Sequence, residues 1–177
     1  MYEFDLFTPL DIFSLDLANL DAKTDNYTIA YYLYYLLNHG DECYKIQSHT
    51  KNTNEYFINK DIIYGYLIGK YEYNEEYYYG HVTALSIAPF YRRWGLGSAL
   101  MGHLEMEDLS AVFIDLYVRV GNYSAIEFYK KRGYVIYRTI TGYYTHPPEN
   151  AYDMRKPLHK DRSCCIAPRK VISVHDL

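Results

Sequence analysis

With 177 residues, 49% of them apolar, the chain fits one folded domain and can bury a core without disulfide or metal staples. No apolar run is long enough to span a bilayer, and no charged-then-apolar leader opens the chain. The three cysteines, with Cys164 adjacent to Cys165, build neither a disulfide framework nor a zinc site, so the expected setting is a reducing cytoplasm and no metal is expected. The net charge of −4 is uneven, because residues 154–177 hold six Lys/Arg against two Asp; such a tail is either solvated or meets a charged partner.

In chain order, residues 2–6 alternate and read as a strand, and Thr8 or Asp11 can cap a short helix reaching about residue 16. A polar stretch, 19–27, precedes a helix at 29–38 whose Ile29, Tyr32, Leu33 and Leu36 share one face. That helix is apolar on more than this face, which predicts a partner surface. A short strand at 44–47 and a polar loop at 51–61 follow. Residues 62–70 and 77–87 read as two long strands, 96–109 as a helix and 111–118 as a β-branched central strand. Asn122 or Ser124 caps a helix at 125–132, Gly133 stops it, and 134–144 alternates into a last strand. The order β-α-α-β-β-β-α-β-α-β predicts an α/β (α+β) fold, a mixed central sheet flanked by helices. Its domain is expected to span 1–146, with 147–177 a polar, basic tail.

The most informative stretch is Ala88-Pro89-Phe90-Tyr91-Arg92-Arg93-Trp94-Gly95-Leu96-Gly97-Ser98, between a strand and a helix. Glycines at a helix entrance let backbone approach a bulky ligand. The unbonded N–H groups of the first turn and the positive end of the helix dipole then favour an anion. Arg92 and Arg93 add charge, so the turn predicts a pyrophosphate site. It is neither Gly-x-Gly-x-x-Gly nor a P-loop. The 24 tyrosines do not suggest a nucleic-acid surface, because clusters such as Tyr77-Tyr78-Tyr79 lack interleaved basic residues.

The Arg-Arg-x-Gly-x-Gly turn resembles the acetyl-CoA loop of GNAT acetyltransferases. A second block, Asn122-Tyr123-Ser124-Ala125 through Tyr129 to Gly133-Tyr134, is similar to the Asn-x-x-Ala-x-x-x-Tyr-x-x-x-Gly-Phe/Tyr block of that family. Within the family, Leu20-Asp21-Ala22-Lys23-Thr24-Asp25-Asn26-Tyr27 resembles the peptide-binding loop of N-terminal acetyltransferases. The runs Gly80-His81-Val82-Thr83-Ala84-Leu85 and Ala151-Tyr152-Asp153-Met154-Arg155-Lys156 resemble NatB-type catalytic subunits. Asp25 stands where members often carry Glu, and Trp94 replaces a smaller residue.

The resemblance implies acetyl transfer from acetyl-CoA to the α-amine of nascent chains that start Met-Asp, Met-Glu, Met-Asn or Met-Gln. It also implies a large helical auxiliary subunit and work at the ribosome, with no membrane or specific nucleic-acid partner. The backbone of Leu85, Ser86 and Ile87 would pair with the pantetheine arm. Arg92, Arg93, Trp94, Gly95, Leu96, Gly97 and Ser98 would hold the pyrophosphate, and Asn122 would help to bind the cofactor. Tyr129 would lie near the CoA sulfur and donate a proton to the leaving thiolate. Asp25, Tyr27, Tyr143 and Tyr144 would hold the peptide. His81 and Thr83, two apart on one strand face, would meet the second side chain, and His81 could instead act as a base through water. Rival readings are a GNAT enzyme of other N-terminal or lysine specificity and a non-catalytic acyl-CoA-binding scaffold.

Overall fold

A computed structural model of the chain describes residues 2–20, 27–48, 62–159 and 171–177. Among the described residues, eight strands hydrogen-bond in the order β1-β2-β3-β4-β5-β7-β6-β8. They are β1 (Tyr2–Leu6), β2 (Cys43–Ser48), β3 (Ile63–Tyr73), β4 (Tyr78–Ile87), β5 (Phe113–Arg119), β6 (Val135–Thr145), β7 (Pro148–Pro157) and β8 (Ile172–Ser173). The helices are α1 (Ile29–Asn38), α2 (Leu96–Glu107) and α3 (Tyr123–Lys131). The sheet is mixed: β4–β5 and β6–β8 pair parallel, while β1–β2, β2–β3, β5–β7 and β6–β7 pair antiparallel.

The chain forms two compact units, and β3 and β4 each contribute to both. The first comprises residues 1–70 and 84–107. Its core is Phe7, Leu15, Ala18, Tyr32, Tyr35, Cys43, Ile63, Tyr66 and Ile68. Tyrosine serves here as a large apolar filler whose polar tip must be satisfied. Tyr66 donates to Asn19 Oδ1 at 2.8 Å, its hydroxyl lies 3.0 Å from that of Tyr32, and Asn19 Nδ2 returns to Tyr32 at 3.3 Å. Burial first, then the Tyr32 hydroxyl, raises the Tyr66 pKa and keeps its proton in place. Thr28 caps α1 by accepting from the Tyr31 amide, an interaction worth about 1 kcal/mol. The helix expected after Thr8 is a tighter 3-10 turn, Pro9–Ser14. Asp11 accepts from the Thr8 amide and hydroxyl and pairs with Lys45 at 2.8 Å, and the chain then turns inward at Leu15 and Ala18.

The second unit comprises residues 71–83 and 108–177. Its strand β5 pairs with β4 across Gly80–Val82 and with β7 along its whole length. Phe113, Ile114, Leu116 and Val118 are buried, as the β-branched run predicts. The expected boundary at 147 is corrected here. Pro148–Pro157 is no tail but a strand lying between β5 and β6. Pro147-Pro148 reads as a stop because proline cannot donate, yet Pro148 sits at the first position of β7, where proline is tolerated. Ala151, Asp153, Met154 and Arg155 are buried, and two of these four are charged, which disguised a core strand as a polar tail.

Candidate active site

In the first unit, residues 92–95 form a turn that leads into α2. Arg93 and Gly95 take φ +69° and +82°, and a Cβ on Gly95 would meet nothing within 4 Å. Only glycine enters that conformation without strain. The first helical bond of α2 runs from the Ala99 amide to the Gly95 carbonyl at 3.0 Å. The amides of Leu96, Gly97 and Ser98 precede it and so have no partner within the helix. Arg92 donates from Nε to the Ile87 carbonyl at 2.9 Å, tying the turn to the end of β4. Tyr91 stacks on Tyr64 at 3.9 Å and meets Trp94 edge-on at 5.8 Å; Trp94 remains 66% exposed. Open backbone, helix dipole and two exposed arginines suit a diphosphate.

Leu85, Ser86 and Ile87 close β4, and the pairing of β4 with β5 ends before them, at Val82. Ser86 is buried, and its hydroxyl donates to the Ala18 carbonyl. Its side chain is thus structural, and only its backbone is available to a ligand. Tyr27 stacks on Tyr31 at 4.4 Å and meets Tyr32 edge-on. Asp25 lies outside the described residues.

In the second unit, Asn122 is the N-cap of α3, its Oδ1 accepting from Ala125 N at 3.4 Å and Ser124 Oγ at 3.2 Å. The amide nitrogen is what it can still offer a ligand. Tyr129, seven residues on, is buried against Phe128 and Tyr134. Burial raises its pKa, so the hydroxyl holds its proton through neutral and mildly alkaline pH.

His81 and Thr83 share a face of β4, both half-buried. Parallel register sets His81 opposite Asp115, with Nδ1 2.6 Å from Oδ1. Tyr117 joins His81 to the predicted peptide clamp. Its ring is 5.2 Å from His81 and 5.0 Å from Tyr143, and Tyr143 is 5.0 Å from Tyr144. Tyr144 donates to the Tyr117 carbonyl at 3.5 Å, and the Arg119 guanidinium lies 3.8 Å above the Tyr144 ring. His81, Tyr143 and Tyr144 are therefore linked through the Tyr117 ring, a residue the sequence reading did not single out. Behind them lies a buried charge network. Asp153 accepts from Arg138 Nε at 2.8 Å and from Arg155 Nε and Nη2 at 3.1 Å. Arg155 Nη2 also lies 4.0 Å from Asp115. Burial works against the Arg155 charge, but its bonds to Asp153 prevail and its pKa is raised. Asp115 and Tyr117 sit in a run that read only as an apolar central strand. The aspartate interrupting that run was the one available signal.

Among the described residues no group of three His, Cys, Asp or Glu side chains is placed to hold a metal, and no helix is long and apolar enough to cross a membrane.

The order of strand, glycine turn, helix, strand and helix is that of an acetyltransferase fold, and comparisons with known proteins agree. The acetyltransferase (GNAT) family model matches residues 18–134, and the chain belongs to that family. It is 39% identical over 160 residues to the N-terminal acetyltransferase B complex catalytic subunit naa20 of Schizosaccharomyces pombe, spanning 88% of this chain and 84% of that protein. The structure of Chaetomium thermophilum Naa20 in complex with a bisubstrate analogue matches it with a TM-score of 0.81 at 30% identity, covering 97% and 96% of the two chains. A structure of the NatB acetyltransferase complex bound to CoA and MES matches with a TM-score of 0.74 at 32% identity, covering 89% of this chain and 99% of that one.

Proposed function

We propose that the chain is the catalytic subunit of a NatB-type complex in the cytoplasm. It moves acetyl from acetyl-CoA to the α-amine of nascent chains starting Met-Asp, Met-Glu, Met-Asn or Met-Gln. The observation that carries the reading is the open Arg92–Gly97 turn at the start of α2, in a chain that aligns along most of its length with such subunits.

The thioester is already activated, so the residues mainly position the partners and manage two protons. The amides of Leu96, Gly97 and Ser98, with Arg92, Arg93 and Trp94, hold the diphosphate, and Asn122 contributes to cofactor binding. The backbone of Leu85, Ser86 and Ile87 pairs with the pantetheine arm as an added strand. Asp25, Tyr27, Tyr143 and Tyr144 hold the peptide end, and His81 and Thr83 face its second residue. The amine displaces the thiolate in a direct attack, and Tyr129 supplies the proton the thiolate takes up. Burial, which keeps that proton on the hydroxyl, supports the role.

The auxiliary subunit has a surface to meet. Leu10 (79% exposed), Phe13 and Leu20 precede α1, whose Ile29, Tyr34 and Leu37 (78%) are likewise exposed. Apolar residues exposed in such number mark a protein interface. The test is acetyl transfer from acetyl-CoA to peptides starting Met-Asp, Met-Glu, Met-Asn, Met-Gln and Met-Leu, and to internal lysines, with and without a co-expressed auxiliary subunit. Preference for the first four, strengthened by the auxiliary, is expected. Preference for Met-Leu or lysine would overturn the assignment.

A further inference from the structure

The relation of Asp115 to His81 carries an inference that rests on the reading of His81 as a substrate-facing residue and deepens it. The Asp115 side chain is only 4% exposed, and a carboxylate can only accept, so the hydrogen in the 2.6 Å contact belongs to His81 Nδ1. The charges facing this pair come from three strands. Asp115 lies on β5, Asp153 and Arg155 on β7 and Arg138 on β6, while Tyr117 of β5 keeps its proton because burial and the nearby carboxylates raise its pKa. Burial and the neighbouring Asp115 raise the Asp153 pKa, while its three guanidinium hydrogen bonds favour the ionised carboxylate. Two carboxylates and two guanidiniums already balance, so the network needs no positive charge from the imidazole. A neutral ring with hydrogen on Nδ1 presents a lone pair on Nε2.

We propose that Asp115 is a positioning residue that holds His81 in the Nδ1–H tautomer, so that Nε2 takes the proton of the peptide's α-ammonium. Nε2 gains that proton, the freed amine forms the N–C bond to the acetyl carbon, the C–S bond breaks, the thiolate takes the Tyr129 proton, and the second proton that the nitrogen sheds on becoming an amide restores the Tyr129 hydroxyl. The imidazolium formed is held by the Asp115 carboxylate until it releases its proton to solvent.

The test is a double-mutant cycle in the full chain with its auxiliary subunit, using D115N, H81A and the double variant. kcat/KM is measured on Met-Asp and Met-Asn peptides, and Tm is followed alongside. D115N is expected to lower kcat/KM on both peptides by roughly tenfold or more, toward the range for a lost general base. In the H81A background D115N should cost less than about twofold, since a residue acting through another adds nothing once that other is gone. The same factor in both backgrounds would make Asp115 a structural residue and overturn the proposal. An H81A variant as active as the parent would overturn both the proposal and the substrate-facing role of His81, leaving the acetyltransferase assignment intact. Imidazole ¹⁵N shifts of the unaltered chain, with His81 assigned by its loss in H81A, give a readout that needs no folded Asp115 variant. The Nδ1–H tautomer at neutral pH supports the proposal, and the Nε2–H form or a doubly protonated ring refutes it.

Discussion

Gly65→Ala tests whether the end of β4 is held in place by contacts behind it. Gly65 lies in β3 against Ser86 and Ile87, the segment proposed to pair with pantetheine. A Cβ there would stand 2.7 Å from the Ser86 carbonyl oxygen and 3.3 Å from Ile87 Cα, and would overlap Ile87 Cδ1. The Ile87 side chain can rotate away, but the carbonyl cannot move alone. Ser86 is anchored through its hydroxyl to Ala18, and the Ile87 carbonyl is held by Arg92. Relieving the contact therefore shifts backbone by a few tenths of an ångström at the ligand-facing edge. Overpacking of this kind costs about 1–3 kcal/mol, and a domain of this size loses about 2–4 °C of Tm per kcal/mol. The Tm should fall by several degrees, and acetyl-CoA affinity should fall by about tenfold, because small misplacements of positioning groups are costly. Calorimetry and thermal melts measure both, with Gly40→Ala as control, since a Cβ at Gly40 meets nothing within 4 Å. If Gly65→Ala matched Gly40→Ala in Tm and affinity, the reasoning about this edge would be wrong.

Three further outcomes are expected. Tyr129→Phe should lower kcat roughly tenfold or more with little change in acetyl-CoA affinity, because only the proton donor is lost; equal kcat would return Tyr129 to a packing role. Gly95→Asp should weaken acetyl-CoA binding more than Gly95→Ala does. Both strain the φ +82° turn, by about 1–2 kcal/mol, but only the carboxylate repels a diphosphate; equal losses by calorimetry would exclude an anion there. Burial, opposed by a backbone hydrogen bond from Gly69, pushes the Cys43 thiol up to about 12. An unfolded cysteine titrates near ~8.5, so this group's contribution to stability is complete below that pH and is lost as pH rises toward 12. The peptide containing Cys43 should therefore resist alkylation at pH 8.5 in the native chain and react once denaturant is added; rapid native labelling would contradict its burial.

The elements that sequence disclosed best are those with a local cause. The α1 helix begins and ends where its apolar period places it, and the structure adds Thr28 as its cap. The turn at Arg92–Gly97 was readable as a turn because Pro89 and two glycines stand between a strand-like run and a helix-like run. Features that depend on register were not readable. Asp115 and Tyr117 acquire their meaning only when β5 lies parallel to β4 and sets Asp115 beside His81. A lone aspartate in an apolar run says that something charged is near, but not what. Strand β7 was hidden for a related reason. Binary patterning expects a central strand to be apolar, and Asp153 and Arg155 break that pattern.

The same two residues explain why a central strand can tolerate such a departure. Buried charge is costly unless each member is paired and hydrogen-bonded. Arg155 bonds to Asp153 and lies 3.6 Å over the Tyr137 ring, while Arg138 completes Asp153 from the neighbouring strand. Hydrophobic residues of similar volume would stabilise a strand as well or better, so stability alone does not account for the cluster. Its location does, since the cluster ends at His81 and gives that imidazole a carboxylate already charge-balanced from behind. A polar strand that looks like a surface tail in the sequence thus becomes, once paired, the electrostatic support of the Asp115–His81 pair.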